Sequence, residues 1–159
     1  MESLLDLLDK HGNLTIEEMS TMLGRDAAEI AAEIDEYKNA GIIVGNKLII
    51  NWQKTAREFV TALIEVKVTP KFGRGFDEIA ERFYQYEQVK SVYLMSGGYD
   101  IALIIEGKTL TEVALFVSQK LAPMDTVIST ATHFVLKKYK EDGMLLEIPH
   151  KDERQVISF

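Results

Sequence analysis

FVTALIEVKV, residues 59–68, is the stretch on which the fold turns. Val60, Ala62, Ile64, Val66 and Val68 alternate with Thr61, Leu63, Glu65 and Lys67, the period-two pattern of a strand with one buried face. Pro70 ends it, because proline has no N–H to give a ladder. Downstream, Phe76, Ile79, Ala80 and Phe83 recur at helical spacing through Tyr86. Val89 to Met95 reads as a second strand, Ser96-Gly97-Gly98 as a turn, and Asp100 to Glu106 as a third strand, apolar on both faces from Ile101 to Ile105. Thr109 followed by Glu112 has capping-box spacing and opens a helix that packs through Val113, Phe116, Val117 and Leu121 and stops before Pro123. Val127 to Tyr139 is the last strand.

The order β, α, β, β, α, β with right-handed crossovers gives an antiparallel four-stranded sheet with both helices on one face, a ferredoxin-like arrangement. The other face has no element left to cover it, although Phe59, Leu63 and half of the third strand fall there. An uncovered apolar face predicts a second subunit.

Upstream the period is helical. Leu4, Leu5 and Leu8 share one face of a segment from Glu2 to Lys10 that stops at Gly12. Thr15 with Glu18 repeats the capping-box spacing ahead of a helix over 16–23, with Ile16, Met19 and Leu23 inward and Gly24 after it. Asp26 with Glu29 opens a third helix to about Ala40, with Ile30, Ile34 and Tyr37 on one face and Gly41 closing it. Ile42-Ile43-Val44 and Leu48-Ile49-Ile50, about Gly45-Asn46, read as a hairpin. Three helices and a hairpin make a winged helix-turn-helix outline. The expected organisation is α+β: a winged helix-turn-helix head over 1–50, a linker over 51–58, a βαββαβ domain over 59–139, and a C-terminal extension over 140–159 that is an edge strand or a loose tail.

The 159 residues contain no cysteine, which excludes disulfides, thiolate catalysis and Cys-ligated metal or iron–sulfur sites. No apolar run reaches membrane-span length and the N-terminus lacks a signal-peptide pattern, so a cytoplasmic protein is expected. The net charge of −7 is concentrated upstream, where residues 1–55 hold ten acids against five bases. That works against affinity for nucleic acid, which rests on Lys and Arg neutralising phosphates.

Four stretches resemble the Lrp/AsnC, or feast/famine, transcription regulators: LLDLLDKHGNLTIEEMSTMLG, NAGIIVG, SGGYDIAL and STATHFVL, in order over nearly all of residues 1–139. The second matches the end of the family's recognition helix and the start of its wing, the third the G-x-Y-D loop of its sensor, and the fourth the T-x-T motif of its last strand. The resemblance implies a sensor (RAM, AsnC-type ligand-binding) domain, a dimer or larger homo-oligomer built through the sensor sheets, and an amino acid or similar small effector bound between subunits. Its effector-binding residues would be Gly97, Gly98, Tyr99 and Asp100, with Thr130 and Thr132 as neighbours. The chemistry agrees: N–H groups of a glycine turn can nest a carboxylate, and Asp100 or a threonine hydroxyl can accept from an ammonium. Gly-Gly between two strands is equally a routine hairpin turn.

For DNA, the expected contacts are Arg25, Ala27, Ala28, Ala31, Lys38 and Lys47, with Lys54 and Arg57 as further phosphate candidates. The third helix departs from the family pattern, since Glu33 stands where an Arg is usual, and its exposed face offers Glu29, Glu33, Asp35 and Glu36 against Lys38 alone, with Arg25 just ahead of the helix. A sensor paralogue without its own DNA binding, acting by mixed assembly with a basic relative, is the alternative. No catalytic motif is present, and no cofactor or metal site is expected. An enzyme of the sirohaem-decarboxylase kind would have only His133, Arg74 and Arg82 to hold carboxylates. His133 otherwise reads as a strand histidine satisfied by a neighbour, the Lys137, Lys138 and Lys140 cluster as a solvated strand end, and Trp52 as packing between head and sensor.

Overall fold

A computed structural model describes residues 3–70 and 75–147, and the chain divides into two compact units, Met1–Leu48 and Ile49–Phe159. In the first unit, α1 (Leu4–Lys10), α2 (Ile16–Leu23) and α3 (Ala27–Asn39) enclose a small core of Leu4, Leu7, Met19 and Ile30. Each helix begins where a side-chain oxygen takes orphan N–H groups. Ser3 with Asp6 and Thr15 with Glu18 form reciprocal capping boxes, whereas Asp26 accepts from the N–H groups of both Ala28 and Glu29 without a return bond. Gly24, at φ +64°, ends α2 in a left-handed conformation open to glycine.

The expected hairpin over 42–50 does not form. The N–H groups of Ile42 and Ile43 turn back onto the Tyr37 carbonyl and extend the α3 cap. The Asn46 amide donates to the Gly12 carbonyl instead of supporting a tight turn, and neither Gly45 nor Asn46 takes the positive φ that a two-residue hairpin loop requires. Residues 42–50 therefore run without strand pairing, and Val44 is 92% exposed. No wing ladder is present among the described residues.

In the second unit, β1 (Val60–Val68), α4 (Gly75–Tyr84), β2 (Val89–Leu94), β3 (Ile101–Gly107), α5 (Leu110–Phe116) and β4 (Val127–Phe134) follow the expected order. The sheet order is β2-β3-β1-β4, with all pairs antiparallel. Ala62, Ile64 and Val66 lie across from Ile105, Leu103 and Ile101, and with Val68 they are buried under Ile79, Phe83, Val113, Phe116 and Leu121. α5 runs on through a π-turn over Val117–Leu121 before Pro123. Gly107 is required where α5 crosses the sheet: a Cβ there would stand 2.9 Å from Cγ2 of Val113.

Several boundaries differ from expectation. β4 ends at Phe134, not Tyr139, and the chain then folds back through β5 (Lys140–Glu141) and β6 (Met144–Leu145), turning at Asp142-Gly143 with both residues at positive φ. The stretch expected as a linker contains a 3₁₀ turn, Trp52–Lys54, and is tied to this returning segment: the Asn51 amide donates to the Leu146 carbonyl and the Gln53 amide to that of Lys138. Trp52 packs edge-on to Phe59 at 6.3 Å, under the Arg57 guanidinium at 4.5 Å, so its ring partners lie within its own unit. Lys137 and Lys138 are paired with Glu147 and Glu141. Residues 148–159, with the charged KDER end, lie outside the described residues.

The two cores respond to different substitutions. Phe83→Ala is expected to cost about 3–5 kcal/mol and Ile30→Ala about 2–5 kcal/mol. In urea unfolding followed by the fluorescence of Trp52, the first should lower the midpoint and the second leave it in place.

Candidate functional site

The SGGYD loop joins β2 to β3. Met95 N–H donates to the Asp100 carbonyl at 2.8 Å, closing the hairpin over Ser96–Tyr99, and Asp100 N–H donates to the Val66 carbonyl at 3.1 Å, docking its base on β1. Gly97 has φ +144°, a conformation that L side chains rarely adopt, and a Cβ at Gly97 or Gly98 would meet nothing within 4 Å. Gly97 and Gly98 are exposed, with no other element packed against them. Tyr99 is half-buried.

Asp100 has a structural partner that its sequence context does not reveal. The β1–β4 register shifts between Lys67 and Val68, and Oδ2 of Asp100 accepts from the Val68 N–H at 2.9 Å, part-buried. One carboxylate oxygen therefore caps the end of the central strand.

The threonines are less close to this loop than the resemblance implied. Thr130 pairs with Val66 and Thr132 with Ile64 on the far edge of β1 from β3, so two inter-strand spacings, about 10 Å, separate Thr130 from the β3 backbone. Gly97–Asp100 and Thr130 share one end of the sheet, and Thr132 sits one pair further in. Both threonines lie on the face that carries the helices, since they pair with buried Val66 and Ile64.

The opposite face has an apolar strip of Leu63, Ala102 and Ile104 set among Glu65, Lys67, Glu106, Tyr93 and His133, which makes it more polar than the alternation suggested. His133 is there with its Nε2 3.5 Å from Glu65. Arg82 is on α4, against the other side of the sheet, bonded to Glu78, so His133 and Arg82 form no common cluster; Arg74 lies outside the described residues. No group of three potential metal ligands occurs among the described residues, and no described helix is long and apolar enough to cross a membrane.

In the first unit, two of the four acids on the exposed face of α3, Glu33 and Asp35, have cationic partners. The Arg25 Nη2 donates to Oε2 of Glu33 at 2.6 Å, and the Tyr37 hydroxyl donates to Oε1 at 2.6 Å. The hydrogen bonds from Tyr37 and then from Arg25 hold the Glu33 carboxyl below its usual range, while the bond to Glu33 raises Arg25 and Tyr37 above theirs. Helix spacing alone signals Glu33–Tyr37, at i and i+4; Arg25, eight residues from Glu33, does not follow from that rule. Lys38 pairs with Asp35 at 3.3 Å, Lys47 and Ala28 are exposed, and Ala27 and Ala31 are half-buried along α3.

Removing the Asp100 acceptor leaves the Val68 N–H unsatisfied, which costs about 1–3 kcal/mol. Asp100→Ala should therefore speed hydrogen exchange at the Val68 amide, and Asp100→Asn, whose amide oxygen still accepts, should restore protection.

Against known proteins, the Lrp/AsnC ligand-binding domain matches residues 61–145. The chain is 46% identical over 156 residues to the uncharacterized HTH-type transcriptional regulator YugG of Bacillus subtilis, covering 98% of this chain and 94% of that protein. It is 27% identical to the HTH-type transcriptional regulator LrpA of Pyrococcus abyssi, over 86% of this chain and 94% of that one. Among solved structures, the fold superposes on the Neisseria meningitidis transcriptional regulator NMB0573, determined with L-Met, at a TM-score of 0.69 and 20% identity, covering 87% and 88% of the two chains. It superposes on Escherichia coli AsnC at 0.66 and 17%, covering 87% and 91%. Strand order, the ligand-binding-domain match and the relatives converge, and the chain belongs to the Lrp/AsnC family of transcription regulators.

Proposed function

We propose that this protein is a sequence-specific DNA-binding regulator whose sensor sheet binds an amino acid or similar small molecule at the Gly97–Asp100 loop, and that it acts in the cytoplasm. The observation that carries the reading is the loop itself: an uncovered glycine backbone whose base is held to β1 by hydrogen bonds of Asp100. The methionine complex of the Neisseria relative supports an amino acid as the ligand class. Gly97 and Gly98 N–H groups would nest the carboxylate, and Tyr99 and the free Oδ1 of Asp100 are the nearest groups for the ammonium. Thr130 and Thr132 would reach a ligand only from across β1.

The head supplies helices α2 and α3 joined by a short turn at Gly24-Arg25, the outline in which the second helix enters a major groove. In this proposal Arg25, Ala27, Ala28, Ala31, Lys38 and Lys47 face DNA. The sheet face centred on Leu63 and Ile104 would join two sensors, which doubles the heads and fixes half-site spacing. The acidic residues Glu29 and Glu36 favour one second reading, a sensor paralogue without its own DNA binding that acts by mixed assembly.

Binding of the purified protein to a DNA duplex selected from a random library, at two salt concentrations and against the twenty amino acids, tests the proposal. Salt-sensitive, sequence-dependent binding altered by one or more amino acids is expected; no binding under any condition sinks the regulator reading and leaves mixed assembly. In sedimentation, Ile104→Lys should shift the wild-type oligomer toward monomer.

A further inference from the structure

Arg25 is the sole arginine of the first unit, and it is held at both ends. Its backbone is pinned to α2: its N–H donates to the Ser20 carbonyl at 3.2 Å, and its carbonyl accepts from the Ser20 hydroxyl at 2.6 Å. Its guanidinium reaches Glu33 two turns along α3, and the second oxygen of that carboxylate is fixed by Tyr37. The side chains of Arg25 and Glu33 are nonetheless 39% and 25% exposed. Exposed ion pairs contribute little to stability, so a half-exposed guanidinium held by a carboxylate that is itself bonded to Tyr37 is better explained by orientation than by stability.

A guanidinium carries five N–H donors in a rigid fork, and only Nη2 is engaged by Glu33. The other donors make no hydrogen bond among the described residues, and Arg25 immediately precedes the Asp26 cap of α3, whose N-terminal part is what meets base edges in a recognition helix. An arginine fork donating to O6 and N7 is the commonest contact to guanine. We infer that Arg25 reads a guanine, and that Glu33 and Tyr37 are positioning residues that fix its fork before DNA arrives. The acid on this helix then serves recognition by holding the cation that makes it. This rests on the DNA-binding reading above.

The two roles for Glu33 predict opposite results. As a positioning residue, Glu33→Ala lowers the ratio of affinity for a duplex selected by the wild type to that for a mixed-sequence duplex of equal length. As a phosphate-repelling acid, its removal raises both affinities and leaves the ratio unchanged. Arg25→Lys keeps the charge but not the fork, so it should lower the ratio by roughly 5- to 150-fold while leaving the salt dependence in place. Tyr37→Phe should move the ratio in the same direction as Glu33→Ala but by less, with melting temperature recorded alongside. A ratio unchanged in Arg25→Lys, or affinities raised together in Glu33→Ala, overturns the inference and leaves the regulator reading standing. Wild-type protein that binds neither duplex overturns both.

Discussion

The central strand β1 is bonded on both edges, to β3 and to β4, and its alternate side chains form the floor of the larger core. A strand shifted by one residue would send Ala62, Ile64, Val66 and Val68 to the open face and Glu65 and Lys67 into the apolar interior, so burial locks its register. Neighbouring strands inherit their positions from it. The Gly97–Asp100 loop is placed by the Val66 carbonyl and the Val68 N–H, both on this strand, so core packing and the geometry of the loop are one constraint.

Elements whose information is local were legible in the sequence. β1 and α2 fall where alternation, Pro70, Thr15 and Gly24 put them, because periodicity and capping act over a few residues. Two apolar runs about Gly-Asn carry a hairpin signal over 42–50, but the partners that win, the Tyr37 carbonyl and the Gly12 carbonyl, come from elsewhere in the unit. The end of β4 was overrun for a related reason: Val135 and Leu136 continue the apolar pattern, yet the chain turns to form β5 and β6, and Leu136 is left 96% exposed.

The candidate site divides along the same line. Gly97–Asp100 were identifiable from a short motif, but the capping role of Asp100 depends on a register shift in a different strand pair, which no spacing rule encodes. Glu33 shows the limit of counting charges. As a sum it makes α3 acidic; in place, it is bonded to one cation and one hydroxyl, and presents the fold with a fixed guanidinium instead of a free carboxylate.

Trp52 is the only tryptophan in the chain, set in the segment that follows the first unit, with Arg57 over its face and Phe59 at its edge. Its neighbours Asn51 and Gln53 are bonded to the returning segment at Leu146 and Lys138. The molecule therefore carries a built-in optical reporter position: a single indole between a cation and a ring, flanked by the two bonds that clasp the connecting segment to the β5–β6 turn.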